Sequence, residues 1–357
     1  MSDKSDFSLK IKAQSGDYEV KIGVGTFSSI PNLNDAIVVA DTRFEQLLLT
    51  RGVSKFALVD AVETNKNLST VESIILDLQK FGVRADSTVL ALGGGIIQDL
   101  MTMAASIYMR GIKWVFFPTT LLGMVDSCIG GKSSINTRSV KNLIGNIYPP
   151  TKVIIDTEFV KTLGEDDVLC GLAEAAKICF CRGEPEFRRF LELCDGKSSQ
   201  EIAVMVAHVL SAKQWFIELD EFDQSERKQL NFGHTFGHAL EVGSGHRIPH
   251  GLAVATGMLA ALEFESQSRS LSNVESELAI FSAKLASKLG DRARVESIDW
   301  ARYVEAFKAD KKHGADDYKV LLPNPNGGVR IQKFEKSEAI LLSAVQAQKS
   351  VLTGVVR

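Results

Sequence analysis

Two short histidine motifs have the residue types and spacing best suited to chemistry. They read Asn231-Phe-Gly-His-Thr-Phe-Gly-His238 and Ile248-Pro-His-Gly251 and contain three of the six histidines. If the first motif is helical, Asn231, His234 and His238 share one face, which Arg227 joins one turn earlier. Such a face can bind a metal ion with polar groups beside it. His250 follows a proline, where a helix is expected to have ended, and would approach the same metal from a loop.

The same spacing has a simpler interpretation. Two histidines four residues apart often lie on the polar face of a helix that binds no metal. Gly233 and Gly237 line the neighbouring edge of the predicted helix, where a backbone or a ligand can come close. The motif therefore favours a metal site only together with other residues.

Glu174 is the carboxylate that can join the histidines. It lies in Gly171-Leu-Ala-Glu-Ala-Ala-Lys177, three residues before Lys177 on a predicted helix of small apolar residues. A charged pair of this kind contributes little on a surface, but amid alanines it can equally line a site. Glu174, His234 and His250 would give one carboxylate and two imidazoles with open positions, the pattern of a catalytic zinc. Spacing alone does not bring the three together.

The composition is that of a soluble globular protein. The chain has 357 residues, 45% of them hydrophobic and 24% charged, and this length favours two domains. A net charge of −3 gives no electrostatic argument for nucleic acid or membrane as a partner. The five cysteines form no CxxC pair and the first residues are polar, which predicts a reduced cytoplasmic protein.

The order of predicted elements indicates an α/β Rossmann-like domain followed by a mainly α-helical one. Strands are expected at 7–12, 18–23, 36–40, 55–59, 88–92, 114–117 and 153–155, with helices at 70–81 and 96–110. Helices then follow at 169–181, 187–194, 202–219, the His234 motif, 251–271 and 274–289, and strands at 319–322 and 328–331. We place the boundary near the turn at 163–167, which gives domains 1–165 and 166–357.

Two segments of the first domain suit an anionic ligand. Gly93-Gly94-Gly95 lies between a strand and a helix, where backbone amides and the helix dipole can face a phosphate, although a plain tight turn is an equal alternative. Asp41 ends an earlier strand and can bind a ribose or cap a turn. The run from Pro118-Thr-Thr-Leu-Leu122 through Asp126 and Gly130-Gly-Lys132 to Lys141-Asn142 combines hydroxyls, glycines and lysines, which suits a phosphate or carboxylate or a solvated lysine surface.

These motifs together resemble the 3-dehydroquinate synthase family of sugar phosphate cyclases, in one order from Asp41 to Lys312. The strongest are Gly93-Gly-Gly-Ile-Ile-Gln-Asp99, Tyr108-Met-Arg-Gly111, Pro118-Thr-Thr-Leu-Leu122, Lys141-Asn142, the segment 171–177 that contains Glu174, and the segment 231–238 that contains His234. The resemblance implies NAD- and metal-dependent conversion of 3-deoxy-arabino-heptulosonate 7-phosphate to 3-dehydroquinate and phosphate, in the shikimate pathway to the aromatic amino acids. Transient oxidation, phosphate elimination, re-reduction and intramolecular aldol cyclisation would follow one another, and the first domain would bind NAD.

The resemblance also assigns residues. The metal, Zn2+ with Co2+ as an alternative, would be bound by Glu174, His234 and His250. The cofactor would contact Asp41, Glu63, Lys66, Gly94, Gly95, Asp99, Thr119, Thr120, Lys132, Lys141, Phe159 and Thr162. The substrate would contact Asp126, Lys132, Asn142, Lys177, Lys213, Arg227, Asn231, His238, Lys311 and Lys312. Catalysis is expected from His238 as a proton relay, with Asn231, Lys177, Asp126 and Arg227. Family members are commonly homodimers, in which the residue matching Arg110 reaches the neighbour's phosphate site.

Departures from the family pattern leave alternatives open. Gln98 stands where a small residue is usual, Asp223 stands where Glu is common, and the 133–140 loop lacks a usual His and Pro. The loop favours a paralogous cyclase that acts on another heptulose or hexose phosphate. A metal-dependent polyol dehydrogenase shares the two-domain plan, but the lysine-rich segment argues against it because a polyol needs no phosphate site. A non-catalytic binding protein would have no use for the complete metal-ligand set.

Overall fold

The computed structural model describes residues 5–138 and 140–355, with side chains from residue 7 onward. Its strands are β1 (Ser5–Ile11), β2 (Tyr18–Gly23), β3 (Ile37–Asp41), β4 (Lys55–Val59), β5 (Thr88–Gly93), β6 (Lys113–Pro118), β7 (Lys152–Asp156), β8 (Asp317–Pro323) and β9 (Val329–Glu335). Its α-helices are α1 (Glu45–Thr50), α2 (Leu68–Lys80), α3 (Gly95–Ile107), α4 (Glu165–Arg182), α5 (Glu184–Leu193), α6 (Ser199–Leu219), α7 (His234–Gly243), α8 (His250–Ser266), α9 (Asn273–Ala286), α10 (Trp300–Lys308) and α11 (Glu338–Val355).

The chain divides into two compact units. The first is formed by Met1–Leu163 and Gly196–Asp223, and the second by Gly164–Asp195 and Gln224–Arg357. Helix α6 therefore belongs to the first unit, although it lies beyond residue 166. It is also long and apolar enough to cross a membrane, but more than half of its apolar window is buried, as in a core helix of a soluble protein.

A seven-stranded sheet forms the centre of the first unit, in the order β1-β2-β7-β6-β5-β3-β4. The predicted hairpin of β1 and β2 is antiparallel, with Leu9 opposite Val20, and every other neighbouring pair is parallel. Parallel strands covered on both faces are continuously apolar, and Val38, Val39 and Ala40 of β3 are all buried. The expected Rossmann-like α/β fold is confirmed.

The strand order reverses at β3, which has β4 on one side and β5 on the other. In open α/β sheets such a switch point opens a crevice at the carboxyl ends of the strands, where ligands bind. Ala40 of β3 pairs with Leu92 of β5, so the strands end side by side at Asp41 and Gly93. Two of the predicted cofactor segments therefore meet at the position where this fold favours a nucleotide.

The glycine triplet makes the turn from β5 into α3. Gly94 has an extended backbone immediately before the first helical residue, Gly95. A Cβ on Gly94 would lie 2.9 Å from the methyl carbon of Thr120, so the close approach of the two segments requires glycine. The first turn of α3 thus presents its backbone amides at the switch point.

Helix α3 is shorter than the predicted 96–110, because it ends at Ile107. Met109 and Arg110 have φ values of 49° and 68°, in the left-handed region that residues with a Cβ rarely adopt. Two such residues in succession turn the chain sharply into β6.

The second unit is built around α8, whose small apolar side chains let other helices pack closely on it. A Cβ on Gly237 would lie 2.8 Å from the carbonyl oxygen of Ala253, and one on Gly233 would lie 2.7 Å from Met258. The predicted role of these glycines in close approach is thus fulfilled by the packing of α7 against α8. Strands β8 and β9 form a separate antiparallel pair.

Two sequence expectations around the histidine motifs were wrong. Residues 226–231 form a 3-10 helix, and Gly233, with a φ of 76°, separates it from α7. Arg227 and Asn231 therefore do not lie on the helical face of His234 and His238. His250 is the first residue of α8, not part of a loop, because Pro249 caps that helix at its N-terminus.

Candidate active site

Four side chains from three helices of the second unit surround one point. Glu174 lies in α4, His234 and His238 lie one turn apart at the start of α7, and His250 begins α8. The Nε2 atoms of His250 and His234 are 3.5 and 3.8 Å from Oε1 of Glu174. One nitrogen from each histidine lies within 4.8 Å of the other two. These separations are long for hydrogen bonds and suit groups that share a central ion.

Hydrogen bonds on the far side of two rings orient them for metal binding. Nδ1 of His234 is 3.2 Å from the carbonyl oxygen of Phe232, and Nδ1 of His250 is 3.3 Å from Oε2 of Glu241. Both oxygens only accept, so we assign a proton to Nδ1 in each ring, and in the neutral form of each ring the Nε2 lone pair faces Glu174. Histidines that bind metals are commonly held in this way.

Glu174 is 1% exposed, and no described residue makes a hydrogen bond of good geometry to either of its oxygens. The ammonium of Lys177, also buried, is in ion-pair contact with it. A buried carboxylate needs compensating charge, and the facing histidines lack it when neutral. One carboxylate oxygen and two imidazole nitrogens fit a divalent cation such as zinc, with His238 beside them as a fourth candidate.

The rings differ in their affinity for protons. Burial holds the pKa of His234 well below its usual value and lowers the pKa of His238 to about 4. Burial also opposes a charge on His250, but its contacts with Glu174 and Glu241 outweigh this and raise its pKa to about 10. At pH 7, His234 and His238 are therefore neutral and able to accept a metal or a proton.

The remaining site residues predicted in the second unit are polar, and among them Lys312 acts on the histidines. It forms an ion pair with Asp310 at 2.6 Å, and its charge contributes to the lowered pKa of His234 and His238. Asn231 donates to the carbonyl of Lys228 at 3.0 Å. Arg227 is buried in the 3-10 helix before α7, and Lys311 is exposed.

In the first unit, Lys66 connects several of the predicted cofactor and substrate residues. Its Nζ is 3.1 Å from Asp99, 3.5 Å from Glu63 and 2.8 Å from the amide oxygen of Asn142. Ser134 donates through both its backbone N–H and its hydroxyl to Asp99, at 3.1 and 3.0 Å. This network ties the unusual 133–140 loop to α3. Ser139 of that loop lies outside the described residues.

Two further lysines of this unit form ion pairs. Lys213 is buried in α6 and lies 2.7 Å from Oδ1 of Asp126, while it also donates to the carbonyls of Asp126 and Ile129. Lys132 lies 2.6 Å from Asp223, which has a φ of 59°. The charges that the resemblance assigns to phosphate and carboxylate binding are thus held in fixed positions.

The other predicted cofactor residues lie at the ends of strands or in the segments that follow them. Gly94, Gly95, Thr119 and Thr120 lie at the ends of β5 and β6. Asp41 caps the turn after β3, where it accepts from the backbone of Arg43 at 3.2 Å. The Phe159 ring packs on Phe27 and Phe44, the Thr162 hydroxyl donates to the carbonyl of Phe159, and Lys141 is exposed. The contacts of all these residues with a cofactor stay predictions.

Glu241 and Gln98 were not among the predicted site residues. Glu241 lies on α7 seven residues after His234, and this spacing of two helical turns was the available signal. The side chain of Gln98 is buried and donates to the carbonyl of Ser127 at 2.5 Å, which ties α3 to the segment that carries Asp126.

Comparison with known proteins agrees with this site. The N-terminal and C-terminal family models of 3-dehydroquinate synthase match residues 56–170 and 171–313. The chain is 35% identical over 304 residues to the 3-dehydroquinate synthase of Clostridium tetani (strain Massachusetts / E88), which covers 84% of this chain and 80% of that protein. The chain therefore belongs to the 3-dehydroquinate synthase family, as the motifs predicted.

Solved structures of other sugar phosphate cyclases share the fold. A 2-deoxy-scyllo-inosose synthase complexed with carbaglucose-6-phosphate, NAD+ and Co2+ is 21% identical, with a TM-score of 0.82 and coverage of 96% of this chain and 99% of that one. The 2-epi-5-epi-valiolone synthase of Streptomyces hygroscopicus subsp. jinggangensis 5008, with NAD+ and Zn2+ bound, is 23% identical, with a TM-score of 0.76 and coverage of 96% and 98%. At this identity the likeness concerns the fold.

Proposed function

We propose that the protein is a 3-dehydroquinate synthase, a phosphate-eliminating lyase that converts 3-deoxy-arabino-heptulosonate 7-phosphate to 3-dehydroquinate and phosphate. The observation that carries the proposal is the cluster of Glu174, His234 and His250 in a chain that both halves of the family match.

The residues present fit the two cofactors that the activity needs. Glu174, His234 and His250 would hold the metal, and the glycine turn before α3 would hold the diphosphate of NAD. When bound, NAD supplies a reversible hydride acceptor, and zinc or cobalt supplies a Lewis acid that acidifies a substrate hydroxyl.

The chain's own residues then have three tasks. Lysines held in ion pairs neutralise the phosphate and carboxylate of the substrate, and Lys177, Lys213 and Lys312 are the candidates. His238 accepts a proton, because its pKa of about 4 keeps it neutral at pH 7 and its side chain is half exposed. The aldol closure requires mainly that the opened substrate is held in one conformation.

The test is phosphate release from 3-deoxy-arabino-heptulosonate 7-phosphate, with zinc and substoichiometric NAD, and identification of the product by NMR. Multiple turnovers to 3-dehydroquinate without net NADH are expected. Glu174→Ala should lose activity and zinc together, whereas the exposed Glu305→Gln should keep both. Net NADH formation from a polyol would instead indicate a dehydrogenase.

One observation favours a second candidate, a cyclase for another heptulose or hexose phosphate. The unusual 133–140 loop contacts Asp99 and, through Asn136, Glu63, both of which are predicted cofactor residues. Zinc and NAD binding without turnover of the first substrate would support this candidate. A panel of other heptulose and hexose phosphates would then identify the substrate.

We further propose that the enzyme is a cytoplasmic homodimer in which Arg110 reaches the phosphate site of the neighbouring subunit. The paired left-handed residues Met109 and Arg110 support this role, because strained turns are retained where they serve a function. Sedimentation should give a dimer, and Arg110→Ala should raise KM. An unchanged KM in a confirmed dimer would exclude the role.

A further inference from the structure

His313 occupies an unusual place directly after the predicted anion-binding lysines. Its ring packs against two aromatic rings, with centroids 5.5 Å from Phe307 and 5.0 Å from Tyr318. Its Nε2 is 2.9 Å from the carbonyl oxygen of Phe307, and its Nδ1 accepts from the backbone N–H of Lys319 at 3.0 Å. One side chain therefore joins the end of α10 to the start of β8.

The two hydrogen bonds define the state of the ring. A backbone N–H can only donate, so Nδ1 carries no proton, and a carbonyl can only accept, so Nε2 carries one. His313 is therefore neutral with its proton on Nε2. A protonated ring could not accept from Lys319, and a flipped ring would lose both bonds.

The segment between these anchors carries Lys311 and Lys312. Asp310 organises it from within, because its carboxylate accepts from the backbone N–H of Lys312 at 3.0 Å and pairs with the ammonium at 2.6 Å. The carbonyl of Asp310 also accepts from the backbone N–H of His313 at 3.0 Å. The position of the Lys312 ammonium therefore depends on where His313 is held.

Phe307, which accepts the hydrogen bond from His313, also contacts α7, the helix that carries His234 and His238. Phe307 packs on Phe236 of α7 with centroids 5.6 Å apart, and Phe236 lies midway between His234 and His238. The charge of Lys312 in turn lowers the pKa of both histidines. Lys312 is thus within electrostatic reach of the candidate metal site.

We propose that His313 is a positioning residue that fixes Lys312 for the phosphate group of the substrate. This inference rests on the proposed function. It adds a specific role for a residue that touches neither substrate nor cofactor, since both ring nitrogens are occupied by the backbone.

The surroundings of His313 give the role a pH dependence. Burial lowers its pKa, Asp310 opposes that effect, and Lys312 and Lys336 reinforce it. As the pH falls through this lowered pKa, the ring gains a proton and releases Lys319, so substrate affinity should fall on the acid side.

The test compares His313→Leu, His313→Asn and Lys312→Ala in the full enzyme loaded with zinc and NAD. His313→Leu should raise KM about tenfold, the size of one hydrogen bond to a charged group, with kcat within about threefold. His313→Asn keeps an acceptor for Lys319 and should lie between Leu and wild type. The inhibition constant of inorganic phosphate should rise in parallel with KM.

The decisive comparison is the double variant. In a Lys312→Ala background, His313→Leu should change neither KM nor phosphate inhibition further, because the positioned ammonium is gone. An equal effect in both backgrounds, or a change confined to kcat, would overturn the inference. If His313→Leu does not fold, the Asn variant and its double with Lys312→Ala provide the same comparison.

A direct binding measurement separates this inference from the proposed function. Protection of the loaded protein against thermal unfolding by inorganic phosphate needs no turnover. Protection that depends on both His313 and Lys312, in a protein that releases no phosphate from the substrate, would support the positioning role and refute the proposed activity. Turnover of the substrate, with phosphate protection unchanged in the His313 variants, would support the proposed activity and refute the positioning role.

Discussion

Glu241 should control zinc affinity without touching the metal. Its Oε2 is 3.3 Å from Nδ1 of His250, whose Nε2 faces Glu174. Glu241→Gln keeps an oxygen acceptor but removes the charge, and Glu241→Leu removes both. Loss of such an outer partner weakens metal binding about 10–100-fold, or about 1.4–2.7 kcal/mol. The Leu variant should lie at the upper end of this range and the Gln variant at the lower end.

The effect should depend on pH, because the same carboxylate also favours the proton that competes with zinc. With the pKa of His250 raised to about 10, zinc must displace a proton throughout the neutral range. At pH 7, removal of Glu241 weakens the binding of both zinc and the competing proton to His250, so the two effects partly cancel. At pH 9 the proton competes less, so less of the loss in zinc binding is cancelled. The loss of zinc affinity should therefore be larger at pH 9 than at pH 7.

Competition with a chelator of known zinc affinity measures this directly, at both pH values. The zinc dependence of phosphate release gives an independent estimate. Glu305→Gln is the matched control, since its carboxylate is exposed and pairs with nearby Lys308. A Glu241→Leu protein that binds zinc within threefold of wild type at pH 9 would refute the reasoning.

Three further outcomes are expected in urea unfolding. Gly233→Ala should lower the free energy of unfolding by about 2–3 kcal/mol and weaken zinc binding, because Gly233 has a φ of 76° and a Cβ there would meet Met258. Gly245→Ala should cost about 1 kcal/mol, because Gly245 has a φ of 63° but open space around it. Equal losses in the two variants would contradict this. Lys213→Met should cost about 2–3 kcal/mol, because it leaves the 25% exposed carboxylate of Asp126 and the buried carbonyl of Ile129 without this buried ammonium, and a loss under 1 kcal/mol would contradict it. The free energy of unfolding of zinc-stripped protein should fall by about 1–2 kcal/mol, relative to zinc-loaded protein, as the pH rises from 6.5 to 10. The stability that comes from the raised pKa of His250 is fully present below the unfolded pKa and is lost as the pH rises through about 10, and it is reduced by solvent screening because the ring is 40% exposed. Parallel curves of stability against pH for the two forms would exclude this.

The sequence predicted the sheet well because its strands are buried on both faces. Runs such as residues 36–40 and 88–92 contain only residues that favour strands or fit a tightly packed sheet, and their type is unambiguous. Helices α10 and α11 were both missed, although α10 buries the large side chains of Tyr303 and Phe307, whereas α11 has little apolar contrast. The buried face of α11 includes Ala344, Ala347 and Gln348, whose side chains give little hydrophobic contrast with their neighbours.

The site was predicted in its residue types but not in its geometry. Spacing suggested one continuous helix from Arg227 to His238, yet Gly233 adopts a left-handed conformation that breaks it. A glycine in a helical pattern does not reveal whether it serves packing or a break, and here Gly233 does both. The contact between Glu174 and His250 joins positions 76 residues apart, so only tertiary packing defines it.

The charge distribution in the second unit argues for a substrate with several negative charges. His234 and His250 each begin a helix, so the positive ends of α7 and α8 point toward the cluster. Lys177 and Lys312 add two ammonium groups nearby. The carboxylates of Glu174, Asp310 and Glu241 pair with Lys177, Lys312 and His250, so a bound divalent cation would itself be the excess positive charge. A neutral polyol would leave this excess positive charge uncompensated, whereas a sugar phosphate with a carboxylate would neutralise it. The electrostatics therefore favour a sugar phosphate cyclase over a dehydrogenase on the same fold.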